Sequence, residues 1–211
     1  MPKTLEKLCA FIPVFQIGCI LFFIFQIIFL QKKIAVFNLF ATIYLFPVIG
    51  WRLFHFIYPL KEGLQFIGKR ESKGSPWIAA YYFQFLLNTF PVFEKILICV
   101  PELYSLWLRC WGSHVGIGVV WTPSIQVVDR THLNIADYAF IGSLVFISTH
   151  TIRRKKGRLL LFFKKVQIGS KAIIGYGAIV GPGAVVPDLL EVRAMSYCFQ
   201  NKIQEGPEWK L

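Results

Sequence analysis

From about residue 115 onward, apolar or small residues return at every sixth position. Val115, Trp121, Val127, Leu133, Ala139 and Val145 form one such series, and Ile117, Ile135, Ile141 and Ile147 stand two places after four of its members. Past residue 165 the pattern returns in "VQIGSKAIIGYGAIVGPGAVV". Val166, Ala172, Ala178 and Ala184 hold one column there; Ile168, Ile174, Val180 and Val186 hold the other. Gly169, Gly175 and Gly181 follow three of those, and Leu190, Val192, Ser196 and Cys198 continue the spacing with weaker residues. This is a hexapeptide repeat, whose short strands stack into a parallel β-helix with the aliphatic columns inside. Three hexapeptides make one coil of 18 residues, and successive coils sit roughly 4.8 Å apart. An ordinary strand-rich domain would not hold three Ile/Val-Gly pairs in phase with the earlier columns.

The first half of the chain obeys a different rule. Residues 10–30, "AFIPVFQIGCILFFIFQIIFL", and 34–51, "IAVFNLFATIYLFPVIGW", carry no charge, and only "QKK" separates them. The first run can span a bilayer core, and so short a connection makes a helical hairpin. A cleaved signal peptide fits less well, because the run exceeds an h-region and no A-x-A site closes it. Lys3 and Lys7 flank one end, and Arg52, Lys61, Lys69, Arg70 and Lys73 follow the other; Lys32 and Lys33 mark the tip. The positive-inside bias puts the termini in the cytoplasm. Residues 76–110 admit two readings. Either they form one or two helices in or on the membrane face, or "PWIAAYYFQFLLNTFPVF" spans and moves the second half to the other side. Phe93, Ile96, Leu97 and Val100 fall at helical spacing, with Glu94 and Lys95 between them.

Composition agrees with a membrane protein. The net charge is +12 and the mean hydropathy +0.56, so basic parts facing anionic lipid or an anionic ligand are expected, with no nucleic-acid partner. Five cysteines without a CxxC pair make neither a disulfide framework nor a zinc knuckle, and read as free thiols of a reducing compartment. The fold class expected is mainly β. An α-helical anchor and linker (1–75) and membrane-associated helices (76–112) precede a β-helix (113–200) and a tail (201–211).

The β-helix stops in "VFISTHTIRRKKGRLLLFFKKVQIG", residues 145–169, just after a histidine. Together with "VQIGSKAIIG" (166–175) and "IVGPGAV" (179–185), this stretch resembles the hexapeptide acyltransferases with left-handed β-helix folds. The likeness is to their galactoside, maltose and xenobiotic acetyltransferase branch, over about residues 113–198. In that branch a coil ends in a Thr-x-His-like sequence and throws out a long loop. The resemblance implies a homotrimer, acyl-CoA or acetyl-CoA in the cleft between neighbouring helices, and His150 as the general base. The loop would cover the site on a neighbouring subunit and exclude water.

The resemblance also assigns other positions. Asp129 lies in a mostly aliphatic column and needs a partner. An Asp near this position contacts the acceptor in the family, so Asp129 serves the acceptor, orients His150, or makes a structural hydrogen bond. Arg130 is placed to pair with it and is assigned with it to substrate. Thr122 stands where the family often has a ligand-binding Asn, Ile173 replaces its Trp, and the terminal "GNPAK" is missing. Backbone amides around Gly175 and Tyr176 are assigned to the CoA arm. "RRKKGR", with Arg153 and Arg154, would meet CoA phosphates or anionic headgroups, or remain a solvated face. The following "LLLFF" would dip into lipid or pack in a trimer contact.

His114, His132 and His150 are spaced by 18, one coil length. That predicts a single column, with His132 orienting His150 or tuning its pKa and Gly183 leaving room above it, unless the spacing is a coincidence of the repeat. No metal is expected.

The function expected is a membrane-anchored O-acyltransferase on the cytoplasmic face. It would use acyl-CoA, or acyl-ACP, to acylate a hydroxyl of a lipid, glycolipid or lipid-linked sugar. A non-catalytic tethered scaffold is the alternative, and a His-metal enzyme a more distant one.

Overall fold

The computed structural model describes residues 1–68, 71–200 and 202–205. Lys69 and Arg70 of the charge count, and Asn201 and 206–211 of the expected tail, lie outside these. The chain forms two compact units, residues 1–60 with 68–90, and residues 61–67 with 91–211. The helices grouped at 76–112 from sequence therefore divide between the two units.

The first unit is helical. Helices α1 (Lys3–Cys9) and α2 (Ile12–Ile28) run as one apolar stretch; α3 (Ile34–Phe40) continues through a π-helical turn (Ala41–Leu45) into α4 (Phe46–Ile57). Lys3–Ile28 and Ile34–Ile57 are long and apolar enough to cross a membrane. They turn large apolar side chains outward, among them Phe11, Leu21, Phe25, Phe37 and Phe56, the last 89% exposed. Gln16 is buried between them, and its Nε2 donates to the Thr42 carbonyl in the π-turn at 2.9 Å. That bond gives an amide on an apolar helix its partner.

Strand β1 (Gly63–Ile67) belongs to the second unit, and α5 (Pro76–Thr89) to the first. At 14 residues α5 is roughly 21 Å long, too short to cross a hydrocarbon core of about 30 Å alone. Its lack of charge has another cause. Trp77, Ala79, Ala80, Phe83, Leu86 and Leu87 are buried, and α5 packs on α1, α2 and α4. The approach to α4 is close at Gly50, where an added Cβ would sit 2.6 Å from the Phe83 ring.

The second unit opens with α6 (Val92–Ile98) and α7 (Leu103–Trp111). Six short strands follow: β2 (His114–Val115), β3 (Val120–Trp121), β4 (Gln126–Val127), β5 (Leu133–Ile135), β6 (Phe140–Ile141) and β7 (Phe146–Ile147). A hairpin interrupts, β8 (His150–Lys155) and β9 (Arg158–Phe163). Then come β10 (Val166–Ile168), β11 (Ile173–Ile174), β12 (Ile179–Val180), β13 (Val185–Val186), β14 (Glu191–Val192), β15 (Tyr197–Phe199) and β16 (Lys202–Gln204).

The strands visit three sheets in turn. Strands β2, β5, β10 and β13 form one, β3, β6, β11 and β14 the second, and β4, β7, β12 and β15 the third, all in parallel. Inward ladders run Val115–Ile135–Ile168–Val186, Trp121–Ile141–Ile174–Val192 and Val127–Ile147–Val180–Cys198. Nearly all these side chains are buried, each contributing roughly 1.5–3 kcal/mol where a Val, Leu or Ile is fully covered. The period is also in the backbone. Tyr138 and Leu144, then Lys171, Gly177, Gly183, Leu189 and Met195, are left-handed at six-residue intervals. His150 stands six after Leu144 but lacks that conformation; the turn does not close, and the chain leaves as the hairpin. Strand β16 turns back antiparallel on β15 within the expected tail.

The repeat is not uniform. Val115 pairs with Ile135, twenty residues on, while Ile168 pairs with Val186, eighteen on. Two extra residues therefore lie in the turn after β4. Each hexapeptide has two inward places two residues apart, so a two-residue insertion moves the count from one column to the other without a visible break. Leu133 continued the series of Val127 for that reason.

"LLLFF" is a strand. Strand β9 is central in an antiparallel sheet, paired with β8 and with β1 from before α5. Leu161 and Phe163 are fully buried, and Arg158 lies over the Phe66 ring at 3.9 Å. The expected lipid-dipping loop is thus replaced by alternating in-and-out packing.

Candidate active site

The enlarged turn, residues 128–132, presents two neighbouring charges inward. Asp129 is 5% exposed and Arg130 is 1% exposed. A buried charge needs a partner, and the two residues find different ones.

Asp129 Oδ2 accepts from His150 Nδ1 at 2.6 Å and from the Thr149 backbone N–H at 2.9 Å, with Ser148 Oγ at 3.2 Å. Burial alone would raise the Asp129 carboxyl. The bond to the His150 ring, its charge and the Thr149 amide outweigh burial, and the pKa is lowered. The carboxylate is therefore ionised where it meets His150. With Nδ1 facing an acceptor, the neutral ring carries its proton there, and the lone pair is on Nε2. Ser148 Oγ is 3.3 Å from Nδ1 and accepts from the His150 amide at 3.3 Å. It sits on the Nδ1 side with the carboxylate, so it cannot pass a proton to Nε2 as a serine nucleophile must.

Arg130 makes its ion pair with Glu94, and the Asp129 charge adds a smaller electrostatic contribution. Its Nε donates to Glu94 Oε1 at 2.8 Å and its Nη2 to Glu94 Oε2. Tyr104 Oη donates to Glu94 Oε1 at 3.0 Å, and the Trp107 ring centroid lies 6.0 Å from the guanidinium carbon. Burial opposes the Arg130 charge, but Glu94 more than offsets it and the pKa is raised. Burial and Glu94 together push the Tyr104 hydroxyl well above its ordinary value. Assignment of Arg130 to substrate is corrected: the guanidinium is sealed in the interior.

Of the expected histidine column, the place of His114 is corrected. His114 pairs with Asn134 because of the two inserted residues. His132 Nδ1 is 3.0 Å from Thr131 Oγ1, and its ring meets Phe163 edge-on at 4.7 Å. The His150 ring is held at Nδ1 by Asp129 at 2.6 Å.

Three further assignments change. Gly175 donates its amide to the Val192 carbonyl at 2.9 Å, and an added Cβ would lie 2.6 Å from backbone atoms of the next coil. Its glycine is a requirement of coil stacking, and its amide is already bonded. Tyr176 is half exposed and its carbonyl accepts from Met195, which leaves the assignment of its own amide unchanged. Gly183 does not keep space above His150, because an added Cβ would meet Lys164 Cδ at 2.9 Å in a left-handed backbone. Thr122 lies in the turn after β3, where its hydroxyl is buried and meets no hydrogen-bond partner among the described residues; the burial keeps that group from a ligand.

Arg153 and Arg154 are exposed on β8. Arg153 lines a cleft of about 390 Å³ with Thr151, Leu160, Phe162 and Phe199. Residues alternate along a strand, so this cleft and His150 lie on opposite faces of the hairpin. No group of three or more His, Cys, Asp or Glu among the described residues is placed to hold a metal ion.

Glu94 and Ser148 were not singled out from sequence. Glu94 reads in the sequence as a charge between apolar positions, but in the helix it shares the buried face with Leu97. Ser148 carries only its position, two before the histidine in the turn between β7 and β8.

No family model matches this chain, and no curated protein matches it. Among solved structures, a maltose O-acetyltransferase from Clostridium difficile 630 is similar at 17% identity with a TM-score of 0.38. That match covers 54% of this chain and 75% of the other.

Proposed function

We propose that the protein is a membrane-bound O-acyltransferase in which His150 is the general base. The observation that carries this reading is the 2.6 Å bond from His150 Nδ1 to the buried Asp129 carboxylate, at the point where the coil opens into the hairpin. The acceptor hydroxyl bonds Nε2. Its proton passes to Nε2 as its oxygen attacks the carbonyl carbon of an acyl thioester. The tetrahedral intermediate then expels the CoA thiolate, which takes the proton from Nε2, leaving an ester and free CoA. Asp129 supports the transient imidazolium and holds the tautomer. Since Ser148 is on the wrong side of the ring, the acyl group goes directly to the acceptor.

The two outward-apolar spans favour an acceptor that lives in the bilayer: a lipid, a glycolipid or a lipid-linked sugar. The cationic hairpin, Arg153 to Lys156 with Arg158, suits CoA phosphates or anionic headgroups. A cytoplasmic catalytic unit follows from the basic ends of the helical spans. The coil is read as left-handed and the protein as a homotrimer. The outward ladder Val120–Phe140–Ile173 on one sheet, each 40–47% exposed, is an apolar face that copies of the chain would cover. The test is purified protein with a panel of acyl-CoAs and acyl-ACP in a membrane lipid extract, scored by mass spectrometry for acylated lipid. Acylated product supports the reading, and none from any donor rejects it.

A further inference from the structure

We propose that Glu94 and Arg130 form a buried clamp through which helix α6 keeps Asp129 available to His150, making both positioning residues. Asp129 and Arg130 are sequence neighbours of opposite charge, and each would be a natural partner for the other. Glu94 holds the Nε–Nη2 edge of the guanidinium and the Val128 carbonyl takes Nη1, so Asp129 acts on Arg130 only through its charge. The clamp also holds the backbone on both sides of Asp129. Arg130 Nη1 donates to the Val128 carbonyl at 3.2 Å, and the Arg130 carbonyl accepts from Ser113 Oγ at 2.8 Å. Ser113 Oγ in turn accepts from the Leu133 amide at 2.9 Å. The two-residue insertion is thus pinned at both ends, with Asp129 between.

Stability alone does not account for such a pair. Two desolvated charges are expensive, and apolar replacements of both are often neutral or stabilising. Their placement beside the dyad does account for them. Tyr104 and Trp107 of α7 close the clamp over Glu94 and the guanidinium, so α6 and α7 take part in building the site.

The test reads His150 itself. Full-chain protein with ¹⁵N-labelled histidine, in lipid nanodiscs, gives ring spectra in which His150 is assigned by its loss in His150→Ala. The wild type is expected to show the proton on Nδ1. Glu94→Gln, which frees the guanidinium to compete for Asp129, should mix the tautomers. The Glu94→Leu/Arg130→Met double variant removes both charges and should keep the thermal midpoint while the Nδ1–H population falls. On the acyltransferase reading, on which this part alone rests, kcat drops at least tenfold with KM nearly unchanged. Arg130→Lys keeps the charge but loses the fork, and should lie between. It decides the matter if the other variants do not fold. Wild-type tautomer and kcat in the folded variants would overturn the clamp. A wild type that transfers no acyl group but loses the Nδ1–H tautomer in the variants would reject the reaction and leave the clamp standing.

Discussion

Val127 and Ile135 are eight residues apart, yet they hold corresponding inward places on successive faces of a coil whose other such places are six apart. The two extra residues enlarge one turn, and that turn carries Asp129 to the His150 ring. An irregularity in the repeat and the candidate chemistry therefore occupy the same place.

Asp129→Asn should lower transfer by about 10²–10⁴-fold. The amide can donate to Nδ1, which drives the ring proton to Nε2 and removes the base. Steady-state kinetics with unchanged circular dichroism check this. Activity within threefold of wild type would remove Asp129 from the mechanism.

The same carboxylate makes stability depend on acid. Its folded pKa lies below the ordinary value of 3.8, so the stability it contributes is present above that value. That stability is lost as pH falls through the lower, folded value. Acid unfolding followed by intrinsic fluorescence should show a smaller loss below pH 4 for Asp129→Asn than for wild type.

Cys198 closes an inward ladder, and burial pushes its thiol up to about 11. Cys99 and Cys110 are exposed. At pH 8, a maleimide followed by peptide mapping should modify Cys99 and Cys110 and spare Cys198. Equal reaction at Cys198 would contradict the coil's register.

Gly175→Ala should destabilise the second unit by about 1–3 kcal/mol or more, since the new methyl meets backbone rather than a movable side chain. Thermal unfolding of the variant beside wild type reads it directly.

Much of this was legible in the residues. Ile168, Ile174 and Val180 announce three faces in turn, and the break after His150 marks where the hairpin leaves. The insertion was hidden because Leu133 is inward in its own right, and that hid the true place of His114. Glu94 was hidden because its partner is 36 positions away, a distance no local pattern records. Apolarity misled at 159–163, where a buried central strand and a lipid-seeking loop share one composition; only pairing with β1 separates them.

The most direct measurement is single-turnover transfer by the full chain in nanodiscs containing the membrane lipid extract. Radiolabelled acyl-CoA is followed into lipid ester, with wild type and His150→Ala side by side. The expected result is ester formation by the wild type and a rate 10²–10⁴-fold lower in the variant, at an unchanged thermal midpoint. Equal rates in the two proteins would contradict His150 as the base and, with it, the mechanism built on Asp129.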